Sequence, residues 1–214
     1  YFKMDVSTTI KKVGLEQVFR YLYKDPEGNL PKAMDWADRF AKGGFAPQRE
    51  MIRRVIENPE HPYHQYILGM FRNVDQGVLE TVAVNFFVNA ALVGWEVQEQ
   101  ARKTYGCNIP WAILLDPTSA CNLHCTGCWA AEYGNKLNLT FDEIDRIIEQ
   151  GKELGIYFYI YTGGEPLVRK NDLIALCKKH SDCIFLSFTN ATLIDEAFAD
   201  DMLRVKNFVP AISV

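Results

Sequence analysis

The feature that most constrains this chain is a change of rhythm after Pro110. From there on, short apolar runs alternate with amphipathic stretches. A parallel sheet requires that alternation, because each strand must be followed by a crossover long enough to return the chain to the same end. The runs fall at 111–115, 156–161, 184–188 and 209–214. The first intervening helix opens with a capping box, Thr140 with Glu143, buries Ile144, Ile147, Ile148 and Leu154, and stops at Gly155. The second is centred on 173–177, and the third carries Ile194, Phe198, Met202 and Leu203. Right-handed crossovers then predict four strands in sequential order, curved like part of a barrel. A parallel edge strand at the end of the sequence is a surface that proteins seldom leave bare, so more chain is expected after Val214.

Before Pro110 the pattern is helical. Leu15, Val18, Phe19 and Leu22 make one apolar stripe, interrupted by Asp25-Pro26-Glu27-Gly28-Asn29. Leu30, Met34, Ala37 and Phe40 make the next, ahead of Gly43-Gly44, and Met51, Ile52, Val55 and Ile56 a third. Tyr63, Ile67, Met70 and Phe71 continue the series, and the longest helix is expected over 78–105. Its segment 81–93 is apolar nearly all round, which implies burial on several sides, and Glu80, Asn85 and Asn89 argue against a membrane span. The expected division is a helical region over 1–106 and an α/β region over 107–214. His61 and His64 read as surface histidines without an acidic companion, and the pairs Arg53-Arg54 and Lys178-Lys179 as solvated helix faces.

At 48% hydrophobic and 23% charged residues the composition is that of an ordinary globular protein, which excludes disorder. A net charge of -4 excludes a general affinity for nucleic acid. The sequence opens with no charged stretch and apolar core of a secretory signal, and Tyr1 in place of Met suggests an incomplete start; a cytoplasmic location is expected.

The connection after the first run, 116–139, is far longer than a strand-to-helix loop needs. Within it Cys121, Cys125 and Cys128 crowd three thiols into eight residues. Structural disulfides seldom group in this way, whereas metal ligands do. Three is the informative count: a [4Fe–4S] cube held by three thiolates leaves one iron open for a small molecule. Zinc is the competing metal, but a structural zinc site wants four ligands, no second CxxC pair exists, and His124 stands directly beside Cys125. Cys107, Cys177 and Cys183 read as ordinary buried or free thiols.

The CxxxCxxC spacing, in a loop after the first barrel strand, resembles the radical S-adenosylmethionine (SAM) superfamily. Thr162-Gly163-Gly164-Glu165-Pro166, after the second run, is similar to that family's GGEP turn. The resemblance implies a partial (β/α)6 radical SAM barrel of about four strands preceded by an all-helical region, hence an α/β fold. It implies a [4Fe–4S] cluster on Cys121, Cys125 and Cys128, and SAM chelated to the open iron by its methionine end. It further implies reductive cleavage of SAM to a 5′-deoxyadenosyl radical that takes hydrogen from a substrate. Gly163, Gly164, Glu165 and Pro166 would hold the ammonium group, with Glu165 as a negative charge facing it.

Ser187, Asn190 and Ser213 fall at places resembling further SAM contacts, although Asn190 also suits a simple turn and Thr192 a helix cap. Every one of these positions lies at or near the C-terminal end of an expected strand, the rim where α/β barrels place their sites. One departure concerns adenine: the family has an aromatic residue just before the third cysteine, where this chain has Gly127, with Trp129 just after. The expected partners are a small-molecule or peptide substrate and an electron donor such as a flavodoxin or ferredoxin, without nucleic acid or membrane contact. The alternative is a non-catalytic cluster-binding or interaction module.

Overall fold

The computed structural model describes residues 6–40, 46–128, 130 and 134–213. Tyr1, Gly43, Gly44, Trp129, Val214 and the Phe40 side chain lie outside the described residues. The chain divides into two compact units, Tyr1–Glu80 and Thr81–Val214. The division between these two units falls inside the long helix.

The first unit is helical: α1 (Val6–Lys24), α2 (Pro26–Phe40), α3 (Ala46–Ile56), α4 (Pro62–Asn73) and the first residues of α5 (Gln76–Ala83). The Asp25-Pro26 break is real but only one residue long. Pro26, whose missing N–H costs nothing there, starts α2, and the Asp25 carboxylate accepts the Gly28 N–H at 3.1 Å. Leu22, Leu30, Ile56 and Leu68 form the core of this unit, with Val18, Met34, Ile67 and Phe71 packed on it.

Three expectations are corrected here. Met51 and Ile52 are exposed, so α3 turns only its Val55–Ile56 edge inward. His64 is 4% exposed, not a surface residue. Pro62 starts a helix capped by His61, whose Nδ1 accepts the Tyr63 N–H at 3.2 Å, and His64 is the residue of its first turn that faces inward. Arg53 is not simply solvated either: it pairs with Asp35, Asp38 and Glu57, while Arg54 reaches Glu50.

The second unit contains a parallel four-stranded sheet in the order β1-β2-β3-β4: β1 (Ala112–Thr118), β2 (Phe158–Gly163), β3 (Ile184–Thr189) and β4 (Phe208–Ile212). The crossovers carry α7 (Phe141–Glu153), α8 (Lys170–Lys179) and α9 (Glu196–Val205), with α6 (Trp95–Tyr105) ahead of β1. The α/β class, the strand number and their order are those the sequence predicts. The capping box on α7 is also present, with Thr140 Oγ1 accepting the Glu143 N–H and Glu143 Oε2 accepting the Thr140 N–H. Leu115, Tyr159, Tyr161, Phe185 and Phe208 pack with Ile144 and Ile148 of α7, Leu173 and Leu176 of α8 and Phe198 of α9. Those strand positions therefore define the helix-covered face. The alternate positions, the register row Leu114–Ile160–Leu186–Val209, line the opposite face.

A single 30-residue helix runs from Gln76 to Tyr105, and by length and composition it could cross a membrane. Between α5 and α6 its backbone is a π-helix over Val84–Gly94, which the sequence does not announce. The buried polar residues along it serve the sheet. Asn85 Nδ2 donates to Ser181 O and Cys183 O, both at 2.9 Å, and Asn89 Nδ2 donates to Asp182 O at 2.8 Å and to Asn85 Oδ1 at 3.0 Å. Gln98 Nε2 donates to Gly155 O at 2.9 Å. The loop leading into β3 thus gets its carbonyls satisfied by side chains of the helix, which is what an interior helix does for buried backbone. Gly94 and Gly155 touch: a Cβ on Gly94 would lie 2.3 Å from Gly155 O. Asn85→Ala should lower unfolding stability by about 2 kcal/mol, because Ser181 O loses its side-chain donor and the Asn89 amide loses its support. A urea midpoint shifted at unchanged slope would check this.

Candidate functional site

The long loop after β1 is pinched at its neck. Thr118 and Asn138 form an isolated antiparallel bridge, Ser119 N–H donates to Leu137 O at 2.8 Å, and Leu139 N–H donates to Pro117 O at 3.2 Å. Thr118 Oγ1 donates to Asn138 Oδ1 at 2.5 Å, and Arg169 donates to both Pro117 O and Leu139 O. The three cysteines lie on the loop that this neck closes off. β1 reaches the neck through an irregularity: Leu115 pairs with Tyr161 but Thr118 with Gly163, so one extra residue is accommodated around Asp116-Pro117. A bulge is where a strand tolerates proline, and bulges gather next to sites because they re-aim side chains. The sequence predicts a strand that stops at 115; Pro117 was the available signal for the bulge.

The Gly163-Gly164 turn lies directly against the start of this loop. Gly163, at φ +107°, is in a backbone region that side-chain-bearing residues avoid, and a Cβ there would meet Thr118 O at 2.6 Å. A Cβ on Gly164 would stand 2.2 Å from Ala120 O. The two chains are also stitched together, Gly164 N–H to Thr118 O at 3.0 Å and Glu165 N–H to Ala120 O at 2.8 Å. Close approach thus explains both glycines, but the partner is the neck of the cysteine loop.

Glu165 is 1% exposed, and its carboxylate is engaged within the protein. Oε1 accepts the Leu167 N–H at 3.0 Å and the Thr189 hydroxyl at 2.7 Å; Oε2 accepts the Asn190 N–H at 2.8 Å. Pro166, buried, opens the short 3-10 turn Pro166–Arg169 that Glu165 caps. Far from facing an open cation site, the carboxylate ties the end of β2 to the end of β3. Thr189 opens the segment 189–192 after the third apolar run, and its bond to Glu165 has no cue in the sequence.

The remaining candidates separate. Ser187 is 0% exposed and pairs with Tyr161, which puts it on the helix-covered face, away from any rim ligand. Its Oγ and the Tyr161 hydroxyl have no partner among the described residues. Asn190 is at the rim, its amide bonded to Asn122 Oδ1 at 3.0 Å and to the Thr192 N–H and hydroxyl. Ser213 is exposed just past β4, with its N–H on Thr189 O at 2.9 Å.

Cys121 is half-buried, and Cys125 and Cys128 are exposed. Cys121 and Cys125 line one cavity of about 220 Å³ with Ser119, His124 and Ala130. A second cavity of about 390 Å³, lined by Asp116, Ser119, Ala130, Asn138, Gly163 and Gly164, shares Ser119 and Ala130 with the first. That volume is within the range of small-molecule sites. Cys128 N–H donates to Cys125 O at 3.2 Å in a turn with Gly127 at φ +76°. Among the described residues no three His, Cys, Asp or Glu side chains converge on one metal-sized point. The donor chemistry nonetheless suits a thiophilic cluster, with three accessible thiols on one neck-anchored loop. Cys177 and Cys183 offer a contrast, since burial pushes both thiols well up and leaves them protonated.

Residues 115–214 match the model of the radical SAM superfamily. This part of the chain belongs to that superfamily. The PqqA peptide cyclase of Bradyrhizobium diazoefficiens is 36% identical over 89 residues, 41% of this chain and 23% of that protein. A GTP 3′,8-cyclase of Tolumonas auensis is 43% identical over 62 residues, 28% of this chain and 18% of that protein. The matched part therefore spans about a quarter or less of the length of these relatives. Among solved structures, Streptococcus suis SuiB bound to S-adenosylmethionine aligns at 23% identity and a TM-score of 0.47, over 56% of this chain and 28% of that one. That likeness is too remote to carry weight.

Proposed function

We propose that this chain carries the cluster and SAM site of a radical SAM enzyme, with Cys121, Cys125 and Cys128 as the three ligands of a [4Fe–4S] cluster. The observation that carries this is the conjunction of a radical SAM domain over 115–214 with three thiols on a loop whose neck is stitched to the Gly163-Gly164 turn. When bound, such a cluster would supply one-electron chemistry, passing an electron from an outside reductant to SAM so that hydrogen can be abstracted from a substrate.

The protein's own contribution is positional. The neck bridge Thr118–Asn138 and the clip of Arg169 anchor both ends of the cysteine loop. Ligation of one cluster would bring the three thiolates to a common centre, since metal binding organises the loop that carries its ligands. The adjoining cavity at Gly163 and Gly164 is the place for the methionine end of SAM, with Pro166 setting the exit of that turn and Asn190 and Ser213 on the neighbouring rim. Glu165 holds the turn from behind. Ser187, buried on the other face, takes no part in this reading.

The substrate is a small molecule or a peptide; relatives named as peptide and nucleotide cyclases support no finer choice. A flavodoxin- or ferredoxin-like electron donor and a cytoplasmic setting belong to the same proposal. So does the absence of membrane contact, supported by the engagement of Asn85, Asn89 and Gln98 with loop carbonyls. The test is anaerobic reconstitution with iron and sulfide, then SAM and a strong reductant. Formation of 5′-deoxyadenosine is the expected result. A protein that binds four irons and yields none would be a cluster-binding module instead, and one that takes up only zinc would end the proposal.

A further inference from the structure

Asn122, the residue after Cys121, has no part in the reading above, yet both ends of its amide are engaged. Nδ2 donates to Thr192 Oγ1 at 2.7 Å, and Oδ1 accepts from Asn190 Nδ2 at 3.0 Å. The orientation of Asn190 is itself fixed, because its Oδ1 accepts the Thr192 hydroxyl at 2.7 Å and the Thr192 N–H at 3.0 Å. The Asn190 backbone N–H rests on Glu165 Oε2 at 2.8 Å, and Oε1 of the same carboxylate holds Thr189 and Leu167. An unbroken series of hydrogen bonds therefore runs from the residue beside the first cysteine, through the turn after β3, to the Gly-Gly turn after β2.

We propose that Asn122 is a positioning residue that latches the cysteine loop to the β3 turn, so that the cluster ligands and the SAM-holding turns keep one fixed spacing. This rests on the reading of the rim as a cluster and SAM site. Only a carboxamide suits the position, because one end must donate and the other accept. Asn122 and Thr192 are exposed, so water competes for both bonds and the latch adds little to global stability. Its value is preorganisation: a loop free to drift from the Gly-Gly turn must be ordered again each time SAM binds.

The experiment uses the full chain, reconstituted anaerobically with iron and sulfide and reduced, with its low-temperature EPR signal titrated with SAM. The unsubstituted protein comes first. If it holds no cluster, or its signal ignores SAM, the functional reading fails and the latch falls with it. If it responds, Asn122→Ala should keep its iron and its urea midpoint but need about tenfold more SAM for the same spectral change, the worth of about two modest hydrogen bonds. Thr192→Val, outside the cysteine loop, should show most of the same shift, and the double variant should be no worse than Asn122→Ala alone. Unchanged SAM dependence in Asn122→Ala, or additive losses in the double variant, would overturn the proposal. So would loss of the cluster in Asn122→Ala with full retention and normal SAM dependence in Thr192→Val, which would confine Asn122 to the fold of its own loop.

Discussion

Replacing Cys121, Cys125 or Cys128 singly by Ala should take the reconstituted protein from about four irons per chain to less than about one. On the proposed reading, 5′-deoxyadenosine formation should fall by at least about a thousandfold, because the cluster is what would pass the reductant's electron to SAM. Two thiolates cannot hold a four-iron cube against exchange, and no other Cys, His, Asp or Glu among the described residues completes a metal site in their place. Cys107→Ala is the matching control: that thiol is exposed and lies outside the loop, so iron content and product should be unchanged. Iron analysis and product chromatography on the four variants decide the matter. Retention of the cluster after loss of any one of the three would remove that residue from the ligand set.

Glu165→Ala is the substitution expected to cost most in stability, about 3 kcal/mol. It strands the Leu167 N–H, the Asn190 N–H and the Thr189 hydroxyl, which now share a carboxylate that is 1% exposed. Buried donors without an acceptor carry a desolvation penalty of roughly 1–3 kcal/mol each, and bonds to an ionised group are the strong ones. Glu165→Gln should recover only part of the loss, since an amide can accept at one end but presents N–H to a donor at the other. Urea unfolding measures both. If Glu165→Ala unfolds like the unsubstituted protein, the carboxylate is not the strut described, and its charge would again be available to a bound cation.

Much of the fold was legible in the sequence because the signals are local. The Thr140/Glu143 capping box, the glycine stop at Gly155 after α7 and the four apolar runs each depend on residues a few positions apart. What was hidden involved partners far along the chain. In β3 both faces are apolar, Ile184-Phe185-Leu186-Ser187-Phe188, as buried parallel strands are, so nothing in the run says which side the helices cover. Pairing with Tyr161 decides it and puts Ser187 in the core. His64 was misread because a proline-initiated helix turns it inward, and the Asn85 and Asn89 amides gave no hint that their acceptors lie more than 90 residues away.

By itself, then, the sequence determined the four parallel strands, their order, and a loop carrying three thiols at a spacing suited to one cluster. These follow from periodicity, the handedness of crossovers and ligand count. Only the tertiary structure decided that the two glycines accommodate the neck of that loop and that Glu165 is an internal strut. It also decided that Asn122 reaches the β3 turn. The reason is physical: which donor meets which acceptor across separate turns is fixed by strand register and by the bulge at Asp116-Pro117, and neither is encoded in any short stretch of residues.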